Sequence, residues 1–181
     1  MQDFQIYRAV TPDDLAQARD VILASMEKDQ GYGYQPEWHW DIVNAQEIYA
    51  DNERHAMMIA VADGQVLGTC ALRTGGPKCP PHHPELADRY RDRPAVGHIS
   101  RLVTVPEARR RGIAGSLVRS CLDHARTVSR YRVVYLHTNA KSPGALDFWS
   151  RSGAAVVRDD RDGWDQDARF ETVHFEFDLT A

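Results

Sequence analysis

The chain predicts an α/β (α+β) fold, with helices packed on a central sheet, and three observations carry that prediction. Short apolar runs of strand length alternate with stretches whose apolar residues recur at helical spacing. Asp63-Gly64 stands between two such runs, a dipeptide that marks a tight hairpin. A strand-length run from Gly97 to Val105 passes through a proline turn into an apolar helix, as a strand-turn-helix crossover requires.

Each element follows in order. Thr11-Pro-Asp-Asp opens a helix, with Thr11 as N-cap, Pro12 in the first helical position and acids in the first turn. Leu15, Ala18, Ile22 and Met26 then share one face. A second helix is expected from near Glu37 toward Tyr49. Ala56–Val61 and Val66–Leu72 form the hairpin strands. Residues 74–95 contain five of the chain's nine prolines, so they read as a long excursion rather than as sheet or helix. Strand Gly97–Val105, helix Gly112–Val128 and strand Tyr131–Thr138 follow. A short helix is expected from Ser142, with Ser142 as N-cap, Pro143 next and Gly153 as its stop. A strand at 154–157, a turn at Asp162-Gly163 and a strand from Phe170 to Leu179 complete the chain. In that last strand Val173, Phe175, Phe177 and Leu179 share one face, and His174, Glu176 and Asp178 the other.

At 181 residues, with 43% hydrophobic and 27% charged residues, the chain has the size of one domain spanning 1–181. A net charge of −4 gives no general attraction to nucleic acid or an anionic membrane, so phosphate binding must come from a local cluster. The start MQDFQIYRAV lacks the pattern of a secretory leader, and no run reaches the roughly 20 apolar residues of a membrane helix. A cytoplasmic protein is expected. Cys70, Cys79 and Cys121 are odd in number and widely spaced, which argues for free thiols rather than a disulfide framework or zinc knuckle.

The cluster is Pro106-Glu-Ala-Arg-Arg-Arg-Gly-Ile-Ala-Gly-Ser-Leu-Val118. The exposed N–H groups at a helix start favour an anion, and Gly112, Ala114 and Gly115 let one approach the backbone. Arg109, Arg110 and Arg111 add forked donors suited to phosphate oxygens. The same residues also fit a solvated loop followed by a closely packed helix. Neither Gly-x-x-x-x-Gly-Lys-Ser/Thr nor Gly-x-Gly-x-x-Gly occurs, so those nucleotide loops are excluded.

Ile99-Ser-Arg-Leu-Val-Thr-Val-Pro106 followed by Arg109-Arg-Arg-Gly-Ile-Ala114 resembles the acetyl-coenzyme A motif of the GNAT superfamily of N-acetyltransferases. Ser142-Pro-Gly-Ala-Leu-Asp-Phe-Trp-Ser-Arg-Ser-Gly-Ala154 is similar to a second segment of that family, at family-like spacing. The resemblance implies a mixed, mostly antiparallel twisted sheet of about six to seven strands, whose parallel fourth and fifth strands splay apart. It implies that the main chain of Leu102, Val103 and Thr104 pairs with pantetheine, and that Arg109, Arg110, Arg111, Gly112, Ile113, Ala114, Gly115 and Ser116 surround the pyrophosphate. Ser142 and Trp149 stand where many members have Asn and Tyr. The Tyr protonates the departing thiolate in those members, whereas an indole N–H does not readily supply a proton. His98 and His137 stand where members place a catalytic carboxylate, and a neutral imidazole can accept the proton of an amine near neutral pH.

Gly31-Tyr-Gly-Tyr-Gln-Pro-Glu-Trp-His-Trp40 puts four aromatic rings in a glycine-hinged loop. Related enzymes form part of the acceptor pocket there, so Tyr32, Tyr34, Glu37 and Trp38 are the acceptor candidates. Glu37 and Asp41 would pair with a cationic amine, although a local core cluster fits as well. Cys79-Pro-Pro-His-His83 lacks typical ligand spacing, and no metal is expected. The leading expectation is transfer of an acetyl group from acetyl-coenzyme A to a primary amine of a small molecule or protein. Two alternatives are a catalytically weak acyl-coenzyme A sensor and an interaction protein without cofactor. No nucleic acid or membrane partner is expected, and a homodimer is left open.

Overall fold

The computed structural model describes residues 3–29, 31, 33–77, 83–161 and 170–180. In chain order these form β1 (Gln5–Arg8), α1 (Pro12–Asp29), α2 (Pro36–Val43), a π-helical turn (Gln46–Ala50), β2 (Ala56–Ala62), β3 (Gln65–Thr74), α3 (Pro84–Arg89), β4 (Val96–Thr104), α4 (Ile113–His124), β5 (Val133–Asn139), α5 (Ala145–Arg151), β6 (Ala155–Asp159) and β7 (Thr172–Asp178). The strands take the order β1-β2-β3-β4-β5-β7-β6 in one mixed sheet. β4 and β5 pair in parallel, whereas β1 with β2, β2 with β3, β5 with β7 and β6 with β7 are antiparallel. The predicted class of fold is present, and no helix among the described residues is long and apolar enough to cross a membrane.

The chain forms two compact units, Met1–Arg73 with Ile99–Ser129 and Thr74–His98 with Arg130–Ala181. In the first, Thr11 Oγ1 accepts the Asp14 N–H at 3.1 Å, the predicted helix cap. The expected face of α1 is buried: Leu15, Ala18, Ile22 and Met26 pack with Ile42, Tyr49, Met57, Ile59 and Val66. Asp63 and Gly64 both take positive φ, 49° and 72°, so the two-residue turn between β2 and β3 has the twist a hairpin needs. The short edge strand β1, which the sequence pattern does not announce, pairs Gln5–Arg8 with Val61–Met58.

Two helices differ from expectation. The second ends at Val43, where the Asn44 side-chain amide donates to the Trp40 carbonyl at 2.7 Å beside the ordinary helical bond from its backbone N–H at 3.2 Å. The chain resumes as the π-helical turn that buries Tyr49. The helix expected from Ser142 starts later, capped by Gly144 at φ 75°. Asn139 holds the preceding turn, its carbonyl accepting from Ser142 N–H and its Oδ1 from Lys141 N–H.

In the second unit β4 contributes Val96–His98, in parallel register with Val133–Tyr135. β5 runs antiparallel to β7 from Val133↔Asp178 to Asn139↔Thr172, and β6 adds to the far side of β7. Side chains alternate between faces along each strand. Trp149 of α5 covers one face against Phe177, while Leu86 and Tyr90 cover the other with Val96 and Tyr135. The predicted turn at Asp162-Gly163 lies outside the described residues.

Candidate functional site

Three groups of residues answer to the sequence expectations, two in the first unit and one in the second. The first group is the head of α4. Pro106–Ala108 make a single helical turn, Arg110 adopts φ 63°, and Gly112 caps α4 at φ 79°. No side chain caps the helix, and the Ser116 N–H makes the first intrahelical bond, to the Gly112 carbonyl at 3.1 Å. The amides of Ile113, Ala114 and Gly115 therefore open outward at the positive end of the helix. A Cβ on Gly112 would meet nothing within 4 Å.

Arg109, Arg110 and Arg111 are exposed around this head. Arg109 Nε reaches the Thr104 carbonyl at 3.3 Å, and Arg111 lies 3.8 Å from the Asp3 carboxylate. Ile113 is different: its side chain is buried, and with Leu117 it crowds the face of β3 at Gly68. A Cβ there would stand 2.8 Å from the Val103 carbonyl and 3.2 Å from both Ile113 and Leu117. Gly68 thus lets α4 settle onto the strands that carry Leu102, Val103 and Thr104. Ser116 turns its hydroxyl to Arg119 at 2.8 Å and lines a groove of about 630 Å³ along β1, with Phe4 and Tyr7.

The second group surrounds α2. Tyr34 and Trp38 flank the His39 ring at 5.9 and 6.3 Å, Glu37 is exposed, and Tyr32 lies outside the described residues. His39 Nδ1 accepts the Gln35 N–H at 2.8 Å. Burial first, then the charge of Arg101, lowers the His39 pKa to about 4, although Asp41 pulls the other way. Asp41 itself is fully buried. Its Oδ1 accepts from Arg101 Nη2 at 2.6 Å, and its Oδ2 accepts from Arg101 Nε at 3.2 Å and Tyr49 O–H at 2.5 Å. Burial pushes this carboxyl up, but the hydrogen bonds and charge of Arg101, the charge of Arg73 and the Tyr49 hydroxyl outweigh it and hold the group low. Arg101 reaches Asp41 from a left-handed backbone, φ 54°, in the middle of β4. Asp41, expected to meet a cationic amine, is instead committed inside the protein.

The third group is a polar chain on one face of β4, β5 and β7. His98 and His137 are brought together, ring centroids 5.7 Å apart, with Tyr135 5.0 Å from His98. The Tyr135 hydroxyl lies 3.2 Å from His137 Nδ1 and 2.8 Å from His174 Nδ1. His174 Nε2 lies 3.0 Å from Asp160 Oδ2, and Arg158 Nε pairs with the other Asp160 oxygen.

The protons in this chain follow from donor and acceptor chemistry. The Asp160 carboxylate can only accept, so neutral His174 carries its proton on Nε2 and accepts at Nδ1. Tyr135 donates to it, and burial raises the phenol's pKa well above its ordinary value, so this donor keeps its proton. The phenol oxygen then accepts from His137 Nδ1–H. His137 is left with Nε2 as its proton-accepting nitrogen.

Sequence reasoning singled out His98 and His137 but missed Tyr135, His174 and Asp160. The alternation of β7 put His174 on the face opposite its apolar residues, which was the one available signal. Ser142 lies exposed in the turn before α5, and Trp149 is buried edge-on to Phe148 and Phe177. Cys79 and His82 fall outside the described residues, while His83 Nδ1 caps α3 by accepting the Glu85 N–H at 3.3 Å.

A mixed sheet whose fourth strand leads through a turn to an open, arginine-flanked helix head has the features that the sequence resemblance implies. The chain belongs to the acetyltransferase (GNAT) family, whose model matches residues 19–154. No curated protein matches the chain by sequence. Among solved structures, an acetyltransferase from Streptococcus agalactiae is similar over 99% of this chain and 100% of its own, with TM-score 0.71 and 19% identity. A ribosomal-protein-alanine N-acetyltransferase from Brucella melitensis is similar over 97% of this chain and 99% of its own, with TM-score 0.69 and 14% identity. The protein yncA from Salmonella typhimurium, solved with its cofactor acetyl-CoA, is similar over 98% of this chain and 94% of its own, with TM-score 0.68 and 12% identity. At these identities the likeness is one of fold.

Proposed function

We propose that the chain transfers an acetyl group from acetyl-coenzyme A to a primary amine by direct attack. The observation that carries this reading is the uncapped head of α4, with the outward amides of Ile113, Ala114 and Gly115 and three exposed arginines. Such a group fits a diphosphate, and the main chain of Leu102–Thr104 is the partner proposed for pantetheine.

An alkylammonium with a pKa of about 10.4 must lose its proton before its nitrogen can attack a thioester carbonyl. His137 Nε2 is the proposed acceptor of that proton, with His98 beside it as a second candidate. As the new C–N bond forms, the C–S bond breaks and the thiolate departs. A thiol pKa of about 8.5 makes that anion a tolerable leaving group. After the C–N bond forms, the nitrogen sheds its second proton through water to the thiolate, and the imidazolium gives the first to solvent, so no tyrosine acid is required and the buried Trp149 is compatible with turnover. Tyr34, Glu37 and Trp38 are proposed to meet the acceptor.

The test is thiol release from acetyl-coenzyme A against a panel of polyamines, aminoglycosides, amino acids and peptide amines. Release that depends on the acceptor is expected. His137→Ala should lower kcat by about 10²–10⁴-fold while calorimetric coenzyme A binding persists. Coenzyme A binding without release by any amine would instead identify a sensor. Absence of binding would identify an interaction protein.

A further inference from the structure

Arg73, near the end of β3, is only 8% exposed, yet its Nε and Nη1 are buried with no hydrogen-bond partner among the described residues. Guanidinium nitrogens stripped of water and left without acceptors are costly, because the three N–H donors on Nε and Nη1 lose their hydration together. Its guanidinium carbon lies 5.5 Å from the centre of the Trp40 ring. A π-face tempers the charge, but it supplies no oxygen.

The neighbouring anion cannot supply one. Both oxygens of Asp41 are taken up by Arg101 and Tyr49. The charges do not balance either: Arg73 and Arg101 bring two positive charges against the one negative charge of Asp41. His39 is neutral near pH 7, its pKa being lowered to about 4 by burial and then by Arg101, and burial keeps Tyr49 protonated. Among the described residues one positive charge is left over, together with the unfilled donors of Arg73 Nε and Nη1.

We propose that Arg73 is the carboxylate-binding residue of the acceptor site, so that the acceptor carries a carboxylate as well as its amine, as an amino acid or a peptide does. A carboxylate matches the guanidinium in geometry and cancels the surplus charge, whereas a phosphate dianion would overshoot it. Trp40, whose ring lies against the guanidinium, is 38% exposed. The inference rests on the acetyltransferase reading, in which the aromatic segment ending in α2 meets the acceptor. Arg73 and Arg101 are tied to that segment, one over the Trp40 ring and the other through the Trp38 carbonyl at 2.6 Å.

The experiment compares amino acids with their amides, which keep the amine and lose the carboxylate. Thiol release from acetyl-coenzyme A is measured for each pair with the wild type and Arg73→Met. The wild type should favour the acid in kcat/KM by about tenfold or more, and the ratio should collapse toward one in the variant. Tryptophan fluorescence of the wild type, without acetyl-coenzyme A, should respond to the preferred acid and not to its amide, which keeps the test standing if Arg73→Met misfolds. Equal kcat/KM for acid and amide, or no fluorescence response to any acid, would overturn the proposal. A response to acid that Arg73→Met abolishes, with no thiol release from any amine, would uphold the subsite and remove the acetyltransferase reading instead.

Discussion

Asp160 accepts a hydrogen bond from His174 at 3.0 Å, and both side chains are shut away from solvent at 1% and 0% exposure. A neutral imidazole beside a carboxylate carries its proton on the nitrogen that faces it. That restriction passes through the Tyr135 hydroxyl to His137, two hydrogen bonds further on. A residue that the sequence marks only as one acid among many thereby decides which nitrogen of His137 can take a proton.

Asp160→Asn should expose this dependence. Its amide can offer an N–H to His174 Nε2, which reverses each donor in turn and leaves His137 with its proton on Nε2. We expect kcat to fall by about 10²-fold or more, as when a histidine base is held in the wrong tautomer, with coenzyme A affinity preserved in calorimetry. An unchanged kcat and pH–rate profile in a folded variant would mean that the chain does not govern the base.

Gly68→Val is the corresponding test of how the helix head is seated. The added Cβ would lie 2.8 Å from the Val103 carbonyl, a backbone atom with little freedom to give way. Overpacking of this kind costs about 1–3 kcal/mol. α4 should lift, lowering the melting temperature and raising KM for acetyl-coenzyme A more than it lowers kcat. A variant with wild-type melting temperature and KM would show that Gly68 does not set the helix position.

These two residues also show where the sequence is legible. Thr11-Pro12 and Asp63-Gly64 are local signals: a cap and a turn act within four residues, so the first helix and the hairpin can be read directly. The arginines before Gly112 are legible for the same reason, since strand, turn and helix follow without interruption. The Asn44 side-chain bond and the left-handed Gly144 mark helix ends that a periodic pattern does not encode. β1 is four residues long, and its register depends on a strand some fifty residues away. His174 and Asp160 meet only because β6, β7 and the chain beyond β6 converge. The polar face of β7 reads as solvated until α3 and Tyr90 are seen to cover it. Arg73, likewise, is one more charged residue in a strand until its donors are found without partners.

Arg110→Gly separates strain from function in the helix-head turn. Arg110 holds φ 63° without the freedom of glycine, at a cost of about 1–2 kcal/mol. Relief of that strain should raise the melting temperature by about 2–8 °C. Loss of the guanidinium should weaken coenzyme A binding and reduce its sensitivity to added salt. If affinity and salt dependence are unaltered, Arg110 does not contact the diphosphate.

The last prediction concerns pH and His39. Its folded pKa of about 4 lies below the unfolded value of about 6.5, so between them the unfolded chain binds a proton that the folded chain refuses. Stability therefore falls as pH is lowered through 6.5, and the loss is complete only below about 4. Protonation also removes the Nδ1 acceptor that holds the Gln35 N–H at the start of α2. Asp41 does not confuse this window. Its carboxyl is held below the usual value, so its contribution is present above about pH 4 and is lost only as pH falls further. His124 is shifted in the same direction, chiefly by burial, and shares the slope. The comparison that isolates His39 is thus between wild type and His39→Gln, melted at intervals from pH 7.5 to 4.5. The wild-type melting temperature should fall more steeply, while the variant keeps only the slope owed to the other groups. Parallel curves would mean that His39 takes up its proton as readily in the folded chain as in the unfolded one, and that the Gln35 bond does not depend on the neutral ring.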